Sequence, residues 1–259
     1  MRHAGAMSFR AIAGAVIALL CLLALANAAP IDARRSTAAQ DRDLVDEQFS
    51  LPTQIKLGGV QVKLRPHTRQ VVTVNKKRGH HARVTFWRKR KGAWTRVRTT
   101  KRGHIGYGGL VPPKKRKQGT GTTPLGTYRM PRAFGNDRAP KHTRLPYHRV
   151  DDGDYWVQDT KSRYYNTRRH RDQGGFRWWL PSSAYNSSEH LADYPRQYRW
   201  AIVIAFNRPD PVRRRGSGIF LHVNGKGATA GCVSAPKAFI RHVVGQLRPK
   251  ARPLIAIGR

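Results

Sequence analysis

The chain has 259 residues, 39% of them hydrophobic, with 50 lysines and arginines against 14 aspartates and glutamates. This length and apolar content suffice for one domain with a sizeable core, and two cysteines exclude a disulfide framework. The formal net charge of +36 predicts that the protein meets polyanions, whether nucleic acid, anionic lipid or an anionic wall polymer.

The amino-terminal residues 1–28 have the pattern of a secretory signal peptide. Two arginines and no acid precede the apolar run Ala11–Ala26, which ends in a small-x-small exit, so we predict cleavage near Ala28 and a location outside the cytoplasm, in the cell wall or periplasm. The run is shorter than the roughly 20 residues of a spanning helix, although an uncleaved anchor is the alternative. Cleavage would remove Cys21 and leave Cys232 as the single thiol.

Two segments of contrasting charge follow the signal. Residues 29–55 hold five of the 14 acids with little apolar periodicity, which predicts a flexible leader. Residues 56–117 hold 20 lysines and arginines and no acid, yet they alternate like strands at three places, Gln70–Val74, Ala82–Trp87 and Trp94–Arg98. We therefore predict a folded and very basic β meander.

The basic run Lys114–Lys117 lies between a proline pair and a glycine, and we interpret it as a solvated loop.

The later part of the chain contains strands that are apolar along their whole length. Trp200–Phe206, Ile219–Val223 and Leu254–Ile257 are runs of the length expected for strands buried on both faces. One helix is predicted between the start signal at Ser234 and Pro236 and the stop at Pro249. Its apolar face consists of Phe239, Ile240, Val243, Val244 and Leu247. The fold class is therefore mainly β, with a mixed sheet and a few short helices in one domain over residues 56–259.

Cys232 and His222 are the candidate catalytic pair. A strand carries His222, a glycine-rich turn follows, and the chain returns ten positions later to Cys232. Because the thiolate is the nucleophilic form, we expect the imidazole, the downstream helix start and the basic field of the protein to ionise the thiol. The backbone N–H groups of Gly231 and Cys232 are the candidate oxyanion hole. From the residues alone, a buried structural cysteine is an equally good interpretation.

No metal ion or cofactor is expected. The histidines His80, His81, His104, His142, His148, His170 and His242 lack cysteine or carboxylate neighbours at metal-ligand spacing, and HExxH and CxxC are absent. The pair Glu189–His190 is better explained as a structural or surface pair than as part of a site.

Gly218–Pro236, with the sequence GIFLHVNGKGATAGCVSAP, resembles the active-site motif of the YkuD-type L,D-transpeptidase catalytic domain. The resemblance is to the exported branch of ErfK/YbiS/YcfS/YnhG type, which has a short loop between histidine and cysteine. Thr123–Tyr128 (TPLGTY) and Ala133–Gly135 (AFG) are similar to two further family segments. Together the likeness covers roughly residues 70–259, and it implies a β-sandwich or mixed-sheet fold.

The resemblance also implies roles. Cys232 would attack the carbonyl of the residue before a terminal D-amino acid in a peptidoglycan stem peptide, and His222 would be the general base. The backbone carbonyl of Val223 would be the third element, with Thr229 in a supporting position. This chain departs from the commoner family pattern, because a second histidine is missing before Gly231 and the position two after the cysteine is Ser234.

Two functions of different classes remain open from the sequence. The first is an exported cysteine acyltransferase that forms 3→3 cross-links between stem peptides, with an L,D-carboxypeptidase as its hydrolytic variant. The second is a non-catalytic cationic binder of anionic wall polymer or nucleic acid. A signal peptide and the absence of a helix-turn-helix or RNP-like motif speak against a specific nucleic-acid partner. Nothing in the sequence indicates an oligomeric state.

Overall fold

The structure is a computed structural model that describes residues 53–259. The predicted signal peptide, Cys21 and all but the last three residues of the predicted leader lie outside the described residues. The first strand begins at Gln54, so the end of the predicted leader is already part of a sheet. Within residues 53–259, no helix combines the length and apolar character that crossing a membrane requires.

Seventeen strands and one α-helix make up the regular structure of the described residues. The strands are β1 Gln54–Leu57, β2 Val60–Lys63, β3 Gln70–Lys76, β4 His81–Arg90, β5 Ala93–His104, β6 Leu110–Val111, β7 Thr123–Pro124, β8 Gly126–Arg129, β9 Ala133–Gly135, β10 Tyr147–Arg149, β11 Asp154–Trp156, β12 Arg168–His170, β13 Glu189–His190, β14 Ala201–Val203, β15 Phe220–Val223, β16 Val233–Ala235 and β17 Leu254–Gly258. The helix α1 spans Lys237–Gln246, and five short 3-10 turns lie at Pro113–Lys115, Arg171–Gln173, Leu191–Asp193, Gln197–Arg199 and Pro249–Ala251.

Ten of these strands form one mixed sheet in the order β10-β9-β14-β15-β16-β5-β4-β3-β17-β8. The pairs β9/β10, β15/β16 and β3/β17 are parallel, and the other neighbours are antiparallel. The mainly β fold with a mixed sheet and few helices is therefore confirmed. The apolar run Leu254–Ile257 lies in β17, an inner strand between β3 and the edge strand β8.

The predicted basic meander is the hairpin ladder β3-β4-β5. Its strands are longer than the alternation predicted, because the pairing between β4 and β5 continues to His81 and His104. The inner strand β3 is almost fully buried, whereas most residues of β5 are exposed. The charge of this region thus lies on the exposed strand β5 while the apolar residues of β3 and β4 enter the core.

The two faces of the sheet near the carboxyl-terminal half differ in what covers them. Alternation along β15 directs Leu221 and Val223 to the main core, where all five residues of the predicted helix face are buried. Phe220 faces the opposite side and packs with Phe134 and Tyr198. The helix is confirmed, but it begins at Lys237 with Pro236 as its cap, and Ser234 belongs to the strand β16.

Candidate active site

A cavity of about 570 Å³ opens on the face of the sheet opposite helix α1. Both Cys232 and His222 line it. Further lining residues include Arg116, Gln118 and Gly121, then Ser188, Glu189 and Tyr198, and the loop Gly225–Ala230. The cavity is large enough for a short peptide segment and is walled by more polar than apolar groups.

Strand pairing brings the cysteine and the histidine to the same face. β15 and β16 run parallel, with His222 opposite Ser234 and Leu221 opposite Val233. Cys232 immediately precedes β16, two residues before Ser234, and side chains two positions apart point to the same face. The sulfur and the imidazole are therefore diagonal neighbours that border one cavity, as the histidine-to-cysteine spacing predicts.

The thiol of Cys232 is buried, with 8% of the residue exposed. Its Sγ donates to the carbonyl of Gly218 and accepts from the N–H of Phe220, both at 3.3 Å. Burial, with a smaller effect of the nearby carboxylate of Glu189, raises the pKa of the thiol to about 12. The expectation that the resting thiol is ionised is therefore wrong, because loss of solvent outweighs the hydrogen bond from Phe220 and the cationic surroundings.

The downstream helix does not help the thiol either. Helix α1 starts five residues after Cys232, and the strand β16 occupies the interval. Five extended residues span about 16 Å, whereas the influence of a helix terminus falls off within a turn. The predicted contribution of the helix start is thus also wrong.

His222 is held in a defined orientation. The residue is buried, with 6% exposed, and its Nδ1 lies 2.8 Å from the backbone oxygen of Val223. This contact requires a proton on Nδ1, so Nε2 carries the lone pair when the ring is neutral. Burial lowers the pKa of the imidazole to about 4, against the opposing effect of the Val223 carbonyl. The ring is therefore neutral at pH 7 with Nε2 able to accept a proton.

The loop before the cysteine is braced by the hydroxyl of Thr229. Its Oγ1 accepts the N–H of Gly231 at 3.2 Å and donates to the carbonyl of Cys232 at 2.6 Å. The N–H of Gly231 is thus occupied in this state, unlike the free donor that the sequence analysis assumed. Of the two N–H groups predicted to form the oxyanion hole, that of Gly231 donates to Thr229 and that of Cys232 does not.

Arg116 is a cationic group of the site that the sequence analysis placed in a solvated loop. The residue is 5% exposed, and its Nε and Nη1 donate to the carbonyls of Thr122 and Arg215 at 2.9 and 3.0 Å. Burial lowers the pKa of the guanidinium. A negative charge on Cys232 has the largest opposing effect, because it favours the charged arginine. Within residues 53–259 no carboxylate forms an ion pair with Arg116. The interpretation as a solvated run is wrong for this residue because backbone carbonyls from two loops hold its side chain inside.

Gly231 allows this arginine to approach the cysteine. Its φ is +128°, which L side chains rarely adopt. A Cβ at this position would lie 2.9 Å from Nη2 of Arg116 and 2.9 Å from the carbonyl of Thr122. The glycine before the nucleophile is therefore required by backbone conformation and by close packing.

The TPLGTY segment connects to the cysteine loop through its first residue. The fully buried hydroxyl of Thr123 donates to the carbonyl of Gly231 and accepts the N–H of Gly106, both at 2.8 Å. Through this hydroxyl, the TPLGTY segment holds the backbone of the cysteine loop in place.

A second group that the sequence analysis did not assign to the site is the pair Glu189 and Tyr198. The Tyr198 hydroxyl donates to Oε1 of Glu189 at 2.5 Å, and Gln158 donates to Oε2 at 3.1 Å. Burial raises the pKa of Glu189 to about 7, despite both hydrogen bonds. Glu189 and Tyr198 line the same cavity as Cys232, and the carboxylate of Glu189 is close enough to raise the pKa of the thiol. Glu189 thus forms part of the cavity wall, where Tyr198 and Gln158 hold its carboxyl group.

Six histidines other than His222 fall into two groups. His148, His170 and His190 each contact aspartates. His80, His81 and His104 come together at the end of the β4/β5 ladder, with one ring nitrogen of each within 4.8 Å of the others. Sequence spacing did not indicate this grouping, because strand pairing, and not proximity along the chain, brings His104 to the other two.

Comparison with known proteins gives one match. A family model described as the YkuD L,D-transpeptidase catalytic domain matches residues 69–255, a span that contains every residue of the cavity described above. No curated protein and no solved structure matches the chain.

Proposed function

Because the chain belongs to the family of YkuD L,D-transpeptidase catalytic domains, we propose that it is an exported enzyme that joins peptidoglycan stem peptides through a thioester on Cys232. The family implies L,D-transpeptidase-type activity on peptidoglycan. The observation that carries the finer proposal is the shared cavity, in which His222 is held with Nε2 available on the same face as Cys232. The export part of the proposal rests on the apolar amino-terminal run.

The first step is attack of the sulfur on the carbonyl carbon of the third stem residue. Since the thiol is protonated at rest, its proton leaves as the S–C bond forms, and the acceptor is Nε2 of His222. In the resting state the S–H donates to Gly218, so rotation about the Cβ–Sγ bond of Cys232 must redirect it toward the imidazole. The Nδ1–H bond to Val223 stabilises the imidazolium that results.

The tetrahedral intermediate carries a negative oxygen. We assign the N–H of Cys232 and the guanidinium of Arg116, a cation close enough to interact with a charged Cys232, as the donors to this oxygen. Collapse of the intermediate breaks the C–N bond to the terminal D-alanine, whose amine takes the proton from His222. The products of this half-reaction are free D-alanine and an acyl thioester on Cys232.

The second half-reaction releases the enzyme. The side-chain amine of a neighbouring stem attacks the thioester, gives a proton to Nε2 of His222, and forms the 3→3 amide as the thiolate of Cys232 departs and recovers that proton. Water in place of the amine gives the tripeptide, which is the carboxypeptidase outcome.

The surface charge supports a location at an anionic wall. Arg96, Arg98, Lys101 and Arg102 are exposed along the strand β5. Wall polymers carry phosphate and carboxylate groups, and attraction to them falls as salt screens the charges. The same surface is what a non-catalytic cationic binder would use, so binding to wall material does not by itself distinguish the two functions.

Product analysis on a disaccharide-tetrapeptide tests the proposal. The protein should release D-alanine, and Cys232→Ala should release none, while both proteins bind wall sacculi equally and with the same salt dependence. A dimeric product identifies the transpeptidase and a tripeptide the carboxypeptidase. Sacculus binding without D-alanine release from the unaltered protein would instead support the cationic binder.

A further inference from the structure

Three histidines meet on the same face of the sheet as the active-site cavity, two strands away from it. Cross-strand pairing places His104 opposite His81, while the N–H of Ile105 donates to the carbonyl of His80 at 2.8 Å. The ring centroids lie 4.4 to 5.3 Å apart. One ring nitrogen of each histidine lies within 4.8 Å of the other two.

The local backbone aims these rings at one another. The register between β4 and β5 shifts between Ala82 and Val84, which is a bulge next to the histidine pair. Bulges redirect side chains and often lie beside functional sites. Gly103 allows the strands β4 and β5 to approach closely here, because a Cβ at this position would lie 2.4 Å from Cγ2 of Val84.

The ring of His104 has a nitrogen that is available to a metal ion. Its Nδ1 is buried and has no hydrogen-bond partner. A neutral imidazole binds a metal ion through the lone pair of one ring nitrogen, which this unpartnered atom can offer.

We propose that His80, His81 and His104 bind one divalent first-row transition metal ion through three imidazole nitrogens. Three nitrogens at 2.0–2.1 Å from a tetrahedral ion are about 3.3 Å apart, so the cluster must contract slightly. The exposed ring of His81 is free to make that movement. Imidazole ligands suit zinc, copper, nickel and cobalt better than calcium or magnesium.

Two features of the surroundings shape the site. Arg78 and Arg102 flank the histidines in the sequence, so the local field opposes a cation and favours neutral imidazoles as the ligands. With three protein ligands, the fourth position of the ion stays open to water or to an anion. Because the N–H of Thr229 donates to the carbonyl of Ile105, the residue after His104, at 3.1 Å, the bound ion would also hold one side of the loop that leads to Cys232.

A Co²⁺ titration of the tag-free full chain tests the proposal, with Cys232→Ala in every protein so that the thiol cannot bind the metal. Visible absorption and calorimetry should show one Co²⁺ per chain, displaced by Zn²⁺. The variants His80→Asn and His81→Asn should each weaken Co²⁺ binding by roughly tenfold or more. His142→Asn is the matched control, since this exposed histidine lies outside the cluster and asparagine tolerates its φ of +68°.

Two results would overturn the assignment. One is the absence of stoichiometric Co²⁺ binding to the protein with its three histidines intact. The other is binding that His80→Asn and His81→Asn leave as strong as His142→Asn does. Thermal melts in the absence of metal check that the variants are folded, and the exposure of His81 makes its variant the safer of the two.

Discussion

Oγ1 of Thr123 donates a 2.8 Å hydrogen bond to the carbonyl oxygen of Gly231, the residue before Cys232. Two segments that are 108 positions apart in the chain are thereby joined inside the core. The segment TPLGTY therefore carries a hydroxyl that supports the loop of the cysteine motif.

Thr123→Val should remove this support. The carbonyl of Gly231 and the N–H of Gly106 both lose a buried partner, which costs about 1–3 kcal/mol in the free energy of unfolding. D-alanine release should fall as well, because the cysteine loop is no longer held. Chemical denaturation measures the first effect, and Thr95→Val, an exposed change on β5, is the control. Equal stability of the two variants would contradict the contact.

Gly231→Ala should disrupt the site more than the same change at Gly227. Alanine at Gly231 meets both an unfavourable φ of +128° and the 2.9 Å approach to Arg116 and Thr122. A Cβ at Gly227 meets nothing within 4 Å. We expect a loss of at least about 1 kcal/mol in unfolding free energy and most of the activity for the first variant, and near-normal values for the second. Similar behaviour of both alanine variants would contradict the packing described here.

Arg116→Gln should lower the rate of D-alanine release by roughly 10² to 10³-fold, the size of effect seen when one oxyanion donor is lost. Lys115→Gln changes an exposed neighbour that does not line the cavity, so it should leave the rate unchanged. Arg116→Lys keeps the charge but loses the fork of donors that holds the side chain, so its rate should lie between the other two. An Arg116→Gln rate within twofold of the parent would exclude this arginine from the reaction.

The thiol of Cys232 should react slowly at neutral pH. Because burial raises its pKa to about 12, the rate of alkylation should rise about tenfold per pH unit from pH 7 to 10 without a plateau. Peptide-resolved mass spectrometry separates this thiol from Cys21, and free cysteine, which levels off above its pKa of about 8.5, is the reference. A plateau below pH 8 would show a resting thiolate instead.

The free energy of unfolding should depend on pH through Glu189 and His222, whose effects have opposite signs. Glu189 has a pKa of about 7 in the folded protein against a usual 4.5. Its contribution to the free energy of unfolding is therefore complete below pH 4.5 and is lost as pH rises through 7. His222 has a folded pKa of about 4 against 6.5, so its contribution is complete above pH 6.5 and is lost as pH falls toward 4. The two slopes oppose each other between pH 4.5 and 6.5.

Glu189→Gln separates these slopes. Without the carboxyl group, unfolding free energy should rise more steeply with pH between 4.5 and 6.5 than in the parent protein, because only the slope of His222 remains. His222→Gln should show the reverse, a decline between pH 4.5 and 7. Parallel curves for the parent and Glu189→Gln would mean that this carboxyl group titrates as an ordinary exposed one.

Local patterns predicted the parts of the molecule that depend on neighbours in the sequence. The prediction of the helix face from Phe239 to Leu247 was correct, because a period of 3.6 places these apolar residues on one side of the helix, whichever elements they pack against. The pairing of Cys232 with His222 on one face was also accessible, since a short turn between two strands leaves few other arrangements.

Features that arise from distant contacts were not accessible in this way. Arg116 stands among four consecutive basic residues, and only the carbonyls of Thr122 and Arg215 distinguish it from its solvated neighbours. The protonated thiol was missed for a related reason, because burial cannot be deduced from residue types around a cysteine. The histidine cluster depends on the register of β4 and β5, which no motif encodes.

Intact-mass analysis of the acylated protein tests the central role of Cys232 most directly. After brief mixing with a disaccharide-tetrapeptide and acid quenching, the protein should gain the mass of the substrate less one D-alanine, on the tryptic peptide that contains Cys232. The adduct should be sensitive to hydroxylamine and absent from Cys232→Ala. Turnover of the tetrapeptide by Cys232→Ala at the parent rate, or an adduct on another residue, would contradict the account.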